Sequence, residues 1–150
     1  MRNSLTILFL FLVTLTYGQK RSLVTKTVDI NPLDFTMSMK YMIPRRFAMK
    51  ALGSEYYVTV RNDSLDCFLP YYGEVYQPTL TNDGLNFKVP IVGMRTKDKK
   101  NKKHLYYRVR KGFLTYDYHF VVYPEGKGML ILTPSNAQDC TYEGEWFIEH

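Results

Sequence analysis

No apolar run in this chain reaches the roughly 20 residues that a membrane-spanning helix needs; the leading stretch, residues 5–15, falls well short. Glycine and proline are sparse, 9 and 7 in 150 residues, which is below the level of a low-complexity chain. Neither a glycine period nor sustained heptads occur, so collagen-like and coiled-coil fibres are excluded. Tryptophan occurs once, cysteine twice and histidine three times. There is no Gly-x-Ser-x-Gly, no His-Glu-x-x-His and no glycine loop of the phosphate-cradling kind. These absences remove the common signatures of catalysis, and nothing calls for a cofactor. What the chain has is apolar and aromatic material, 45% and 15% of residues. That is ample for a core, so intrinsic disorder is excluded as the main state. The length fits one domain.

The amino terminus reads as an address. Arg2 is the only charge before Lys20, and the apolar run follows it, the order of a secretory signal peptide. Thr16 and Gly18 supply small residues three and one positions before a cut between Gly18 and Gln19. The expected organisation is a signal peptide over 1–18, a tether over 19–33 and one domain over 34–150. The protein is then exported, to the periplasm or beyond. Removal of residues 1–18 takes away one Arg and no acid, leaving a net charge of +5 from +6.

That charge is concentrated. Lys97, Lys99, Lys100, Lys102 and Lys103 surround Asp98 and Asn101, the composition of a solvated hairpin tip that could also meet an anionic surface. The segment lacks the aromatic-and-basic interleaving of a single-strand platform, so nucleic acid is not an expected partner. In an exported chain Cys67 and Cys140 could form a disulfide closing a loop of about 70 residues, or remain two buried thiols.

From Phe35 onward the hydrophobic period is two, the signature of half-buried strands. Phe35, Met37, Met39, Tyr41 and Ile43 form one face before Pro44. Tyr56, Val58 and Val60 lead through Asn62-Asp63, residues that tolerate positive φ, to Leu65, Cys67 and Leu69. Further alternating runs contain Leu85–Phe87–Val89–Ile91, Leu105–Tyr107–Val109, Tyr116–Tyr118–Phe120–Val122, the apolar segment 129–133, and Cys140, Tyr142 and Trp146. The only helical pattern is weak, over 45–52, ended by Gly53. About eight short strands with turn signals between them predict an all-β fold, a small antiparallel barrel rather than an immunoglobulin-like sandwich. The sandwich's Trp between two cysteines is missing, since Trp146 follows both. An outer-membrane barrel is disfavoured because outward positions carry Lys40, Arg108, Arg110, Asp117, Glu143 and Glu145.

Leu69-Pro70-Tyr71-Tyr72-Gly73, followed by Val75-Tyr76 and Gly84-Leu85-Asn86-Phe87, resembles a family of exported proteins of Gram-negative bacteria catalogued as domain of unknown function 4251. The hairpin over 56–69 and Tyr123-Pro124-Glu125-Gly126 fit as well, so the resemblance spans roughly 34–147. It implies a lipocalin-like β-barrel and export. It implies no activity and carries over no catalytic residues.

Individual residues suggest sites of several kinds. Tyr71, Tyr72 and Tyr76 cluster beside Pro70, Gly73 and Pro78, where aromatic rings could stack on a sugar or clamp an apolar ligand, or simply plug one end of the barrel. Met37, Met39, Met42 and Met49 add adaptable apolar volume. Asp117 and His119 share a strand face, and with His104 could meet as metal ligands, while Glu143 and Glu145 form a carboxylate pair. Each of these polar sets is more simply a solvated strand face. A triad with Cys67 is disfavoured because Cys67 lies on the apolar face and Asp117 and His119 on the polar one. Asp63-Ser64-Leu65 matches a short acceptor pattern for O-glycosylation at Ser64, and Asn62-Asp63-Ser64 an N-glycosylation sequon. Two functional readings follow. One is a non-catalytic periplasmic binding module that contacts a small apolar or sugar-like ligand, or a partner, through its tyrosine-rich loops. The other is a packed structural or interaction protein of the cell envelope with no small ligand.

Overall fold

The computed structural model describes residues 27–73 and 85–149. The alternating runs become nine antiparallel strands: β1 (Asp34–Pro44), β2 (Lys50–Ala51), β3 (Tyr57–Arg61), β4 (Ser64–Leu69), β5 (Leu85–Lys99), β6 (Lys102–Lys111), β7 (Leu114–Val122), β8 (Lys127–Pro134) and β9 (Cys140–Phe147). Eight close into a barrel in the order β1-β3-β4-β5-β6-β7-β8-β9, and the β1–β9 ladder shuts it. Closure suits strands with one apolar face, because it gives that face an interior and leaves few unpaired edges. No helix occurs among the described residues.

The first strand departs from simple alternation. Met39 pairs with Gly144 but Tyr41 pairs with Glu143, so Lys40 is an extra residue in the ladder. A bulge of this kind shifts the side-chain phase by one. Met42 therefore turns inward and is fully buried, whereas Tyr41, expected inside, is exposed and Ile43 is only half-buried. Gly144 faces the bulge because no side chain fits there: a Cβ would run into the Ser38 carbonyl oxygen.

The helical pattern over 45–52 is not realised. Residues 50 and 51 fold back as β2 on Tyr41 and Met42, and the Leu52 amide donates to the Lys40 carbonyl at 2.8 Å. The reason is an open edge. β3 covers β1 only as far as Ser38, so the next carbonyls of β1 take the following chain as a short strand.

The turns follow their chemistry. Asn62 has φ +56° in the β3–β4 hairpin and Gly112 has φ +61° in the β6–β7 hairpin, the left-handed conformation that Asn and Gly accept readily. Antiparallel register places the connections in two groups. One end of the barrel carries residues 45–56, the β4–β5 connection beginning at Pro70, the Gly112-Phe113 turn and residues 135–139. The opposite end carries residues 27–33, the Asn62-Asp63 turn, the Lys100-Asn101 turn and residues 123–126. Of the segment read as a tether, 27–33 is described and packs on the barrel: Ile30 is buried and Val28 lies against the core. The β4 ladder stops at Pro90. Beyond a second bulge after Ile91, the rest of β5 pairs only with β6. Its free edge is lined by Lys97, Asp98 and Lys99, charges that discourage edge-to-edge pairing.

Candidate functional site

In a lipocalin-like barrel the first place to look for a site is the interior. Here the inward rows fill it. Phe35, Met37, Met39, Met42, Leu105, Tyr107, Tyr118, Phe120, Leu130, Leu132 and Tyr142 are each 2% exposed or less. At its centre Phe120 meets Phe35 edge-on at 5.3 Å and Tyr107 at 5.7 Å, with Tyr118 stacked at 6.3 Å. The interior tyrosines also use up their polar tips. Tyr107 donates to the Pro32 carbonyl at 2.5 Å, Tyr142 to the Pro70 carbonyl at 2.7 Å, and Tyr118 to the Cys67 sulfur at 3.3 Å. Burial raises all three phenol pKa values, so the hydroxyls stay neutral donors. Pro32 and Pro70 stand at opposite ends of the barrel, and each end is thereby tied to a ring in the core. Sequence alone does not assign these donors a partner. Their signal was the inward phase of Tyr107, Tyr118 and Tyr142, since a buried hydroxyl needs a partner.

The tyrosine-rich loop divides. Tyr71 is half-buried and packs against the core, and its hydroxyl donates to the Gln138 carbonyl at 2.6 Å. It is a tie between the β4–β5 and β8–β9 connections. Tyr72 is half exposed, with the Lys50 ammonium 3.8 Å from its ring centroid, a cation–π contact. Tyr76 and Pro78 lie outside the described residues.

Cys67 and Cys140 are both buried and both free. The bridge the sequence left open is not formed. Cys67 is on β4 and Cys140 on β9, with β3 and β1 between them in the wall. The Cys67 thiol donates to the Leu85 carbonyl at 3.5 Å while accepting from Tyr118. Cys140 lies 4.0 Å from the Ile43 carbonyl and 3.9 Å from its neighbour's. Burial pushes Cys67 up to about 11 and raises Cys140, which suppresses the reactive thiolate. Ser64 opens β4 directly after the Asn62-Asp63 turn and is half-buried.

The polar sets on the outer wall find other partners. Asp117 forms a two-pronged pair with Arg108 at 2.7 and 2.9 Å, and so does not join the histidines. His104 Nδ1 and His119 Nε2 are instead 2.8 Å apart. His119 stacks on Tyr106 at 4.2 Å, and the Arg95 guanidinium lies 4.5 Å from the centroid of the same ring. Burial and then Lys99, Lys102 and Lys97 lower the His104 pKa; burial, then His104, Lys99 and Arg95 lower that of His119. Register explains the company. Arg95, Lys97, Lys99 and Lys102 share the outward face with His104 and Tyr106, whereas Asp98 and Lys103 pair on the inward face at 3.7 Å. No cluster of three or more metal-ligating His, Cys, Asp or Glu occurs among the described residues. Glu143 and Glu145 line an open groove of about 490 Å³ with Lys40, Tyr41 and Lys127.

The architecture defines a class, the small up-and-down antiparallel barrel of eight strands with a side-chain-filled interior. The family model described as "Domain of unknown function (DUF4251)" matches residues 19–146, and the chain belongs to that family. The fold is similar to the crystal structure of a DUF4251 family protein from Bacteroides eggerthii DSM 20697, with a TM-score of 0.60, 11% identity, and coverage of 78% of this chain and 80% of that one. At that identity the likeness concerns the fold alone. No curated protein matches the chain.

Proposed function

We propose that this protein is a non-catalytic interaction module of the cell envelope that works from its outer surface, its barrel interior serving as scaffold rather than as a ligand cavity. The observation that carries the reading is the filled interior. The inward side chains are buried, and the hydroxyls of Tyr107 and Tyr142 are committed to backbone carbonyls at the two ends. A ligand pocket of ordinary size needs several hundred Å³ of space and a few unspent polar groups, and these tyrosines supply neither. Export rests on the amino-terminal pattern, with Arg2, the apolar run and the small residues before Gln19. The absence of a catalytic role rests on how the polar residues pair: Asp117 with Arg108, His104 with His119, and Cys67 held protonated inside the core. Of the tyrosine loop, Tyr72 retains a surface for contact.

The test is native mass spectrometry of the protein isolated from its source. The expected result is one mass in native and denaturing conditions, that of a chain beginning at Gln19. A stoichiometric companion mass lost on denaturation would overturn the reading in favour of a carrier.

A further inference from the structure

Of the nine large apolar side chains exposed among the described residues, four gather at one end of the barrel, while Tyr41, Val92 and Met94 lie along the wall and Leu33 and Phe147 at the opposite end. Phe113 is 106% exposed, Met49 59%, Phe47 58% and Tyr72 50%. All four stand on connections at one end of the barrel. The same connections and the strand ends beside them carry Arg45, Arg46, Lys50, Arg110 and Lys111 against Glu55 and Asp139 among the described residues. Turn chemistry ordinarily selects polar residues at such sites. A phenylalanine at the tip of a two-residue turn, flanked by Arg110-Lys111, therefore asks for a partner.

We propose that this end of the barrel docks on the surface of an anionic lipid bilayer. Two features favour a bilayer over a folded partner. First, Phe113 keeps the full exposure of an isolated residue, so a partner must surround it from every side of the turn. A fluid acyl boundary does that without a preformed pocket. Second, the apolar tips sit on three connections, each met by cations: Phe47 and Met49 beside Arg46 and Lys50, Phe113 beside Arg110 and Lys111, and Tyr72 under the Lys50 ammonium. Long basic side chains can stay at headgroup level while neighbouring apolar tips enter the interface, and anionic headgroups attract each cation. The lysine hairpin at the opposite end has charge without this apolar component: residues 97–103 contain no large apolar side chain. Docking through the apolar end does not depend on the interior, and holds whether or not the barrel carries a ligand.

The experiment places an environment-sensitive fluorophore on the chain beginning at Gln19 through a single introduced cysteine, Phe113→Cys in one variant and Asn101→Cys at the opposite end in another. Cys67 and Cys140 are 0% and 1% exposed and do not compete for label. The two variants differ only in which end carries the label, so a difference between them reports which end of the barrel meets lipid. Vesicles are phosphatidylcholine with or without phosphatidylglycerol. The expected result is a blue shift, quenched by spin-labelled lipid, at position 113 on the anionic vesicles, with position 101 silent. Adding Arg110→Gln and Lys111→Gln weakens that response roughly tenfold or more, given the usual strength of a basic residue near an anionic surface. No response at 113, a response at 101 instead, or the same response on neutral vesicles would overturn the proposal.

Discussion

Replacing Phe120 by alanine measures how tightly the barrel is filled. Phe120 is fully buried on β7 and meets three rings: Phe35 at 5.3 Å, Tyr107 at 5.7 Å and Tyr118 at 6.3 Å. Truncating a buried Phe to Ala typically costs about 3–5 kcal/mol, the loss of transfer energy plus that of the cavity left behind. Edge-to-face pairs add about 0.5–1.5 kcal/mol each beyond area, which places this site toward the upper end, about 4–5 kcal/mol. A domain of this size has roughly 5–15 kcal/mol in total, so the variant keeps its fold with little margin. With a urea slope of about 2 kcal/mol/M, the midpoint falls by about 2 M. Urea titration followed by the fluorescence of Trp146 reads that shift. The new void is apolar and should stay dry and accept xenon or benzene, which raises the variant's midpoint and leaves the parent's unchanged. A loss below about 1.5 kcal/mol would refute the reasoning, because Phe120 would then border empty space in the parent protein.

Three further outcomes follow from the same structure. With Cys67 pushed up to about 11 and Cys140 raised, both thiols resist an aromatic disulfide reagent at pH 8 in the native state and titrate fully in denaturant; rapid native labelling would contradict their placement. His104 and His119 are held below their ordinary value of 6.5, so the unfolded chain binds protons that the folded one does not. Their contribution to stability is complete above about pH 6.5 and declines as pH falls through the lowered folded-state values. In a His104→Gln, His119→Gln variant the melting temperature should depend less steeply on pH across that window, and an unchanged slope would count against the pair. Gly144→Ala forces a Cβ against the Ser38 carbonyl at the β1 bulge. Overpacking of this kind costs about 1–3 kcal/mol, read as a lower thermal midpoint, whereas the exposed Gly112→Asn control, in a turn that tolerates Asn, costs little.

The sequence made the fold class plain because strand period two is a local signal, repeated in each element from Phe35 to Trp146. It did not show the places where one strand's geometry depends on another. The bulge at Lys40 depends on Gly144, a hundred residues away in the chain, and moved Met42 and Tyr41 to opposite faces. The strand over 50–51 exists because β1 has an uncovered edge there, and no residue within 45–52 announces it. At the candidate site, the clustering of Tyr71 and Tyr72 was visible but not their division of labour. That division depends on Gln138 and Lys50, on other connections. The pairing of His104 with His119, in preference to Asp117, depended on β6–β7 register and on Arg108 reaching Asp117 first.

The interior methionines offer the most direct test of the central claim, that the barrel is filled by its own side chains and acts from outside. Met37, Met39 and Met42 are fully buried, whereas Met49 and Met94 are 59% and 46% exposed. Labelling the methionine methyl carbons and recording their NMR signals during titration with a lipid extract of the source envelope separates inside from outside. The account predicts that the Met37, Met39 and Met42 methyls keep their shifts throughout, whatever Met49 and Met94 do. A saturable shift of the three interior methyls would show a ligand inside the barrel and contradict it.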